Sequence, residues 1–420
     1  MKEARVPDRC RMAAWAALVS SAAMALHVSG ATVPLHVGAA TEPLHVSAAT
    51  EPLHVSAAAV GLHVSAGAKL VSASAGLNPE SKPESKPESN PGSNPGSNPG
   101  SKAVCNRMPT ATRALDRLGQ VMLHGRFVAY QPTSLQIING QPTHADPAGI
   151  RADLQVLRPH FDGLITYGSV DGQQAIPAVA AALGFRAMII GVWDPFDASQ
   201  LDAAVGAARA YPGIVIGISL GNERVFAKRH SFAELTALAV SVRRRLAAIA
   251  ISTTEPFHMF YGSEASELLR QLDFMLVNVH PVHQPWFRGA PDHNAAEFVV
   301  NVVTKLTDVY CGPILVKEVG VPTAPSEAGF TPDRQASFFT ELLRQFPPAR
   351  ERSFAYFAAF DAPWRAFDEI ADPAHASSAV MHPEEAHWGL FDERRRPKPA
   401  VARVPILESA PPQGSQGAPR

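Results

Sequence analysis

From about Ala103 onward the chain alternates short, almost wholly apolar runs with amphipathic stretches, and this alternation limits the fold most. A run such as GIVIGISLG (Gly213 to Gly221) has no polar face. It suits a strand covered on both sides, as in a parallel sheet flanked by helices. Similar runs occur at Arg126 to Pro132, Asp162 to Gly168, Arg186 to Asp194, Asp273 to Pro281, Gly312 to Pro322 and Ser353 to Trp364, with a weaker one near Ile251 to Thr254. Between them lie helical patterns. Asp146 to Phe161 opens on an Asp cap, and Ser231 to Ile249 has a Ser cap with Glu three residues on. Further helices are expected over 176–184, 199–210, 295–310 and 332–346. A doubly wound sheet would satisfy the alternation. Eight units in about 300 residues point instead to an α/β fold of the (β/α)8 TIM-barrel type.

The first hundred residues differ. Lys2, Arg5, Arg9 and Arg11 precede the apolar stretch Met12 to Leu26, and Ala23-Met24-Ala25 offers a small-residue cleavage site. Residues 1–25 therefore read as an export signal, with an uncleaved anchor as the alternative, and the mature chain is expected to be secreted or periplasmic without membrane embedding. LHV then recurs every nine residues from Leu26 to Leu62, and proline-containing tetrads run from Asn78 to Ser101. Proline in every tetrad forbids a helix, and there is little to bury. Residues 26–104 are thus expected to be a disordered spacer, 105–402 the barrel domain, and 403–420 a disordered tail. Cys105 and Cys311 either pair in an oxidising compartment or remain two thiols. The formal net charge of -1 gives no reason to expect nucleic acid as a partner, and a monomer is expected.

In such a barrel the chemistry lies at the carboxyl ends of the strands. Those ends carry Tyr167, Trp193 and Asp194, Asn222 and Glu223, Asn278 and His280, Lys317 and Glu318, and Trp364. Two glutamates close strands that are otherwise apolar. Glu223 and Glu318 stand 95 residues apart, three units of about 32 residues each, a normal spacing for this barrel. Two carboxylates facing across one bowl suit glycoside cleavage. Structural ion pairing with nearby Lys or Arg is the competing explanation for each glutamate. Beyond Trp15, the tryptophans (Trp193, Trp286, Trp364 and Trp388) follow strands or lie near the end of the domain, where they can stack on sugar rings or fill a core. His280 and His283 have metal-ligand spacing, but no third ligand is evident, so neither metal nor cofactor is expected. His280 is read as a hydrogen-bond donor at the rim.

The sequences LGNE at Glu223 and VKEVGVPT at Glu318, with ITYGS, VNVHP and HWGLFDERRRPKPA, resemble glycoside hydrolase family 17, the β-1,3-glucanases, over about Arg126 to Val401. The resemblance implies a (β/α)8 barrel and retaining double displacement on β-1,3-glucan, with hydrolysis or transglycosylation as the outcome. It implies Glu223 as acid/base, Glu318 as nucleophile, Asn222 on the sugar's 2-hydroxyl and Tyr167 in the same subsite. The expected substrate is a poly- or oligosaccharide, with Trp193, Asp194, Asn278, His280 and Trp364 as further contacts. The chain departs from the pattern at Ile165, where many members carry Arg, at Val319, where many carry Thr, and at His280, where Tyr is frequent. A glucan-binding protein on a catalytically decayed barrel is the alternative.

Overall fold

The computed structural model describes residues 25–28, 31–34, 110–138, 141–368 and 380–407. The predicted signal up to residue 24, nearly all of the repeats and the last thirteen residues lie outside these. Near the start of the repeats, Ala25–Val28 pairs antiparallel with Ala31–Pro34.

Eight parallel strands close into a barrel: β1 (Phe127–Ala129), β2 (Gly163–Ile165), β3 (Ala187–Val192), β4 (Val215–Asn222), β5 (Ala250–Pro256), β6 (Met275–Asn278), β7 (Ile314–Val319) and β8 (Arg352–Tyr356). Each strand neighbours the next in sequence, and β8 returns to β1. The outer helices are α2 (Pro147–Leu157), α3 (Ile176–Ala182), α4 (Ala198–Ala210), α5 (Phe232–Arg245), α6 (Ser266–Leu269), α7 (Asp292–Leu306) and α8 (Pro332–Gln345). Their starts follow local chemistry. Asp146, Asp197 and Thr331 accept backbone N–H bonds at the first turns of α2, α4 and α8, and Ser231 with Glu234 forms a capping box at α5.

The sequence pattern did not reveal helix α1 (Thr112–His124), which precedes β1. Its Leu118, Val121 and Met122 pack on Phe127, Ile165, Ile189, Ile216, Leu276 and Leu315, the lower layer of inward-facing strand residues. It closes the amino end of the barrel, so the opposite end is the open one. Among the described residues no α-helix follows β8. A short 3-10 turn, Pro399–Arg403, packs on α8 in its place. The packed chain continues beyond residue 402: Val404 is buried, and the Leu407 amide bonds to the Pro159 carbonyl. Cys311 is disulfide-bonded, its partner lying outside the described residues. Among the described residues no helix is long and apolar enough to cross a membrane.

Candidate active site

Strand β4 reaches the open end buried along its whole length. Its last residues leave regular pairing: Ser219 pairs with Ser252 but Asn222 with Thr254, so β4 carries an extra residue there. Gly221 takes up the irregularity at φ +89°, where a side chain would be strained. This bulge turns Asn222 inward and sets Glu223 just beyond the strand at φ +53°. A non-glycine residue in that region costs about 1–3 kcal/mol unless its surroundings hold it. Strand β5 does so: the Glu223 amide donates to the Thr254 carbonyl at 2.7 Å. The next side chain on β5, Glu255, is fully buried and accepts the amides of Val225 at 2.9 Å and Phe226 at 3.0 Å. The GISLG run of β4 also has the G-x-S-x-G spacing of a serine-hydrolase elbow. Ser219, however, sits within the strand, 1% exposed and bonded to Thr254 Oγ1 at 3.0 Å, away from any strand-to-helix turn.

Strand β7 repeats the device. Val277 pairs with Val316 and Asn278 with Glu318, leaving Lys317 as the extra residue. Consecutive strand residues normally face opposite ways, yet here both Lys317 and Glu318 reach the mouth of the barrel. Glu318 is fully buried. Its Oε1 lies 3.3 Å from Lys317 Nζ and its Oε2 lies 3.4 Å from His280 Nε2. The Tyr167 hydroxyl also faces it from just after β2. Lys317 Nζ bonds in addition to Asn222 Oδ1 and lies 4.1 Å from the centre of the Tyr167 ring. Glu223 accepts a 2.8 Å bond from Asn278 Nδ2.

These surroundings push the two carboxyls apart. Burial, and then the negative charge of Glu318, raises Glu223 to a pKa of about 7, against the smaller opposing effect of Asn278. For Glu318, burial alone would raise the value. Lys317, His280 and Arg365 outweigh it and hold the carboxyl below the ordinary range. Near neutral pH one carboxyl can donate a proton while the other is an anion, the division of labour that glycoside cleavage needs. Glu255 is raised to about 8, by burial first.

Beside the carboxylates, on the β1, β2 and β8 side, lies a cavity of about 430 Å³. Tyr167, Trp193 and Trp364 supply its aromatic surface, and Gln131, Gln173 and Arg365 supply polar groups. The Arg365 guanidinium donates to Gln131 Oε1 at 2.9 Å. Tyr167 belongs both to this cavity and to the Glu318 cluster, so the cavity adjoins the Glu318 side of the centre.

The predicted residues thus sort into groups. Glu223, Glu318, Asn222, Asn278, His280 and Tyr167 form one connected cluster, and Trp193 and Trp364 line the cavity next to it. Asp194 turns away from the cavity: it pairs with Arg224 at 2.9 Å and His230 at 3.4 Å, bracing the loop that carries Glu223. Of the other tryptophans, Trp388 is buried against His280 and Phe357, a wall of the site, and Trp286 is 38% exposed on the β6 loop. Of the departures from the family pattern, Ile165 and Val319 are buried in apolar packing, whereas His280 faces Glu318. Among the described residues no group of three or more His, Cys, Asp or Glu side chains is arranged to hold a metal ion. Sequence reasoning missed Glu255 and Arg365. Strand β5 was expected to end at Thr254, one residue short of Glu255. Arg365 lies just past the predicted end of β8.

The profile of the BtgE/BtgC glycoside hydrolase domain matches residues 128–389. The chain is 24% identical over 270 residues to a glucan 1,3-beta-glucosidase of Arthroderma benhamiae, covering 60% of this chain and 84% of that protein. Its fold is similar to that of a glycoside hydrolase family 17 beta-1,3-glucanosyltransferase from Rhizomucor miehei, with a TM-score of 0.51 and 19% identity over 66% of this chain and 96% of that one. An active-site mutant of the Rhizomucor miehei beta-1,3-glucanosyltransferase, in complex with laminaritriose, aligns with a TM-score of 0.51 and 20% identity over 68% of this chain and 98% of that one.

Proposed function

The chain belongs to the BtgE/BtgC glycoside hydrolase family, and from that premise we propose that it is a retaining enzyme acting on β-1,3-glucan, exported to the periplasm or beyond. The observation that carries the reading of a paired acid and anion is the electrostatic separation of the two strand-end carboxyls, and the retaining stereochemistry rests on the resemblance to glycoside hydrolase family 17. Glu223 is held near a pKa of about 7 and Glu318 below the usual range, in one connected cluster. The substrate class rests on the similarity to enzymes named for β-1,3-glucan.

In the first step a carboxylate oxygen of Glu318 attacks the anomeric carbon. The glycosidic C–O bond breaks, and Glu223 transfers its proton to the departing oxygen. A glycosyl ester on Glu318 results. Glu318 then no longer carries a negative charge, so its repulsion of a Glu223 carboxylate is relieved and the Glu223 pKa falls, although burial still raises it. Glu223 next takes a proton from water or from a sugar hydroxyl. That oxygen attacks the anomeric carbon, the ester breaks, and Glu318 leaves as a carboxylate. The buried Nδ2 of Asn222 has no hydrogen-bond partner in the structure, which suits a contact to the hydroxyl next to the anomeric carbon. The cavity adjoining Glu318 would hold the part of the glucan that stays on the enzyme. The leaving part departs past Glu223.

Incubation with laminari-oligosaccharides and mass spectrometry of the products over time tests the reading. Shorter products alone mean hydrolysis, and longer ones mean transfer. Binding measured by calorimetry without any product would instead support a glucan-binding protein. Products of inverted anomeric configuration, read by proton NMR at early times, would overturn the retaining mechanism.

A further inference from the structure

The steps above give Lys317 no part, although it is a fully buried charged side chain at the mouth of the barrel. The side chain is 1% exposed, and water does not solvate it. An ammonium has three N–H groups. Here Asn222 Oδ1, Glu318 Oε1 and the face of the Tyr167 ring surround it. Burying a cation costs several kcal/mol unless it is paired and hydrogen-bonded. The bulge at Lys317 is what brings it here: in regular pairing, residues 317 and 318 would point to opposite faces.

We infer that Lys317 is the positioning residue of the catalytic centre, a single buried cation that orients the Asn222 amide on β4 and the Glu318 carboxylate on β7 together. This rests on the reading of Glu318 as nucleophile. The amide consequence is geometric. An Asn222 oxygen that accepts from Lys317 leaves Nδ2 as the end that faces substrate. The flipped amide would set N–H donors against an ammonium. The partnerless Nδ2 is therefore fixed as a donor by Lys317. The carboxylate consequence is electrostatic. The groups facing Glu318 are Lys317 from its own strand, His280 after β6, Arg365 after β8, the Tyr167 hydroxyl after β2 and Glu223 after β4. Of these, Lys317 is the cation that also bonds the substrate contact. It acts through Asn222 and Glu318 and does not itself exchange a proton with substrate.

Lys317→Met keeps the length of the chain and removes the charge. The acidic limb of its kcat/KM profile should move to higher pH by about one pH unit or more, because Glu318 loses its closest cation. Asn222→Ala should cost much less in the Lys317→Met background than in the wild type, since the amide there is no longer fixed. An unmoved acidic limb together with additive losses in a folded double variant overturns the inference. If Lys317→Met does not fold, Lys317→Arg takes its place in the same cycle with Asn222→Ala, where sub-additive losses support the coupling and additive losses overturn it. A 2-deoxy-2-fluoro glycoside that traps the glycosyl enzyme, with peptide mass spectrometry, reads the nucleophile separately. Label on a residue other than Glu318 sinks the nucleophile reading, while the cycle still reports whether Lys317 fixes Asn222.

Discussion

The ends of β4 and β7 are built alike and behave differently. Each carries one extra residue against its neighbour, each turns two consecutive side chains toward the mouth, and each presents a glutamate. At β7 the glutamate stays within the strand, fully buried, with Lys317 and Arg365 as positive neighbours and the His280 ring beside it. At β4 it lies one residue beyond the strand, in left-handed backbone, with an amide as its hydrogen-bond partner. Burial raises both carboxyls. Only at β7 do cations overcome it, so the same residue type becomes an anion in one place and an acid in the other. Environment, rather than identity, divides the roles.

The sharpest way to break this comparison is to delete each carboxyl. Glu318→Ala should lower kcat by about 10⁴-fold or more, since no other group can form the ester. Glu223→Ala should lower it by about 10²–10⁴-fold on glucan. The two variants should then part company on an aryl glycoside with a good leaving group, where azide restores Glu223→Ala to a β-glycosyl azide product. A β-glycosyl azide from Glu318→Ala, or an α-glycosyl azide from Glu223→Ala, would erase the proposed division of labour.

A smaller effect separates the supports of the two ends. Glu255 holds the turn after Glu223 through two backbone amides. Glu255→Ala leaves both amides without their acceptor and should cost about 1–3 kcal/mol of stability for the exposed pair. It should also lower kcat more than it raises KM, because Glu223 loses its fixed geometry. Denaturation midpoints measured beside kcat and KM test this, and a kcat equal to that of the wild type would show that Thr254 suffices.

The finest test is the pH profile. Glu223 must be protonated to act as acid, so kcat/KM should fall as pH rises through about 7. Glu318 must be ionised, so the acidic limb should lie below the ordinary glutamate range. Asn278→Ala removes a bond that favours the charged form of Glu223, and should move the alkaline limb to higher pH while leaving the acidic limb in place. Movement of the acidic limb instead would mean that the two roles are exchanged.

Much of this arrangement was legible in the sequence. The apolar runs marked seven of the eight strands, because a strand buried on both faces cannot hide its composition, and β5 left only a weaker trace near Ile251 to Thr254. The strand-end rule then pointed to Glu223, Glu318, Asn222, Asn278, His280 and Tyr167, which the fold brings together. Helix α1 escaped because its role depends on closing the foot of a barrel assembled from distant strands. Glu255 escaped because β5 is rich in Ser and Thr, whose hydroxyls bond across to neighbouring strands: Ser252 to the Phe274 carbonyl and Thr253 to the Leu220 carbonyl. Asp194 shared the strand-end pattern, yet an ion pair with Arg224 turned it to bracing the neighbouring loop.

The sequence by itself determined the number of strands, their parallel order and the placing of two carboxylates at one end of the barrel. Those properties follow from local periodicity and spacing along the chain. The tertiary structure alone decided which carboxyl is pushed up and which is held down, how the bulges aim consecutive side chains, and why a lysine is buried between Asn222 and Glu318. Ionisation and orientation depend on desolvation and on charges that converge from β2, β4, β6, β7 and β8, and such sums exist only once the sheet has closed.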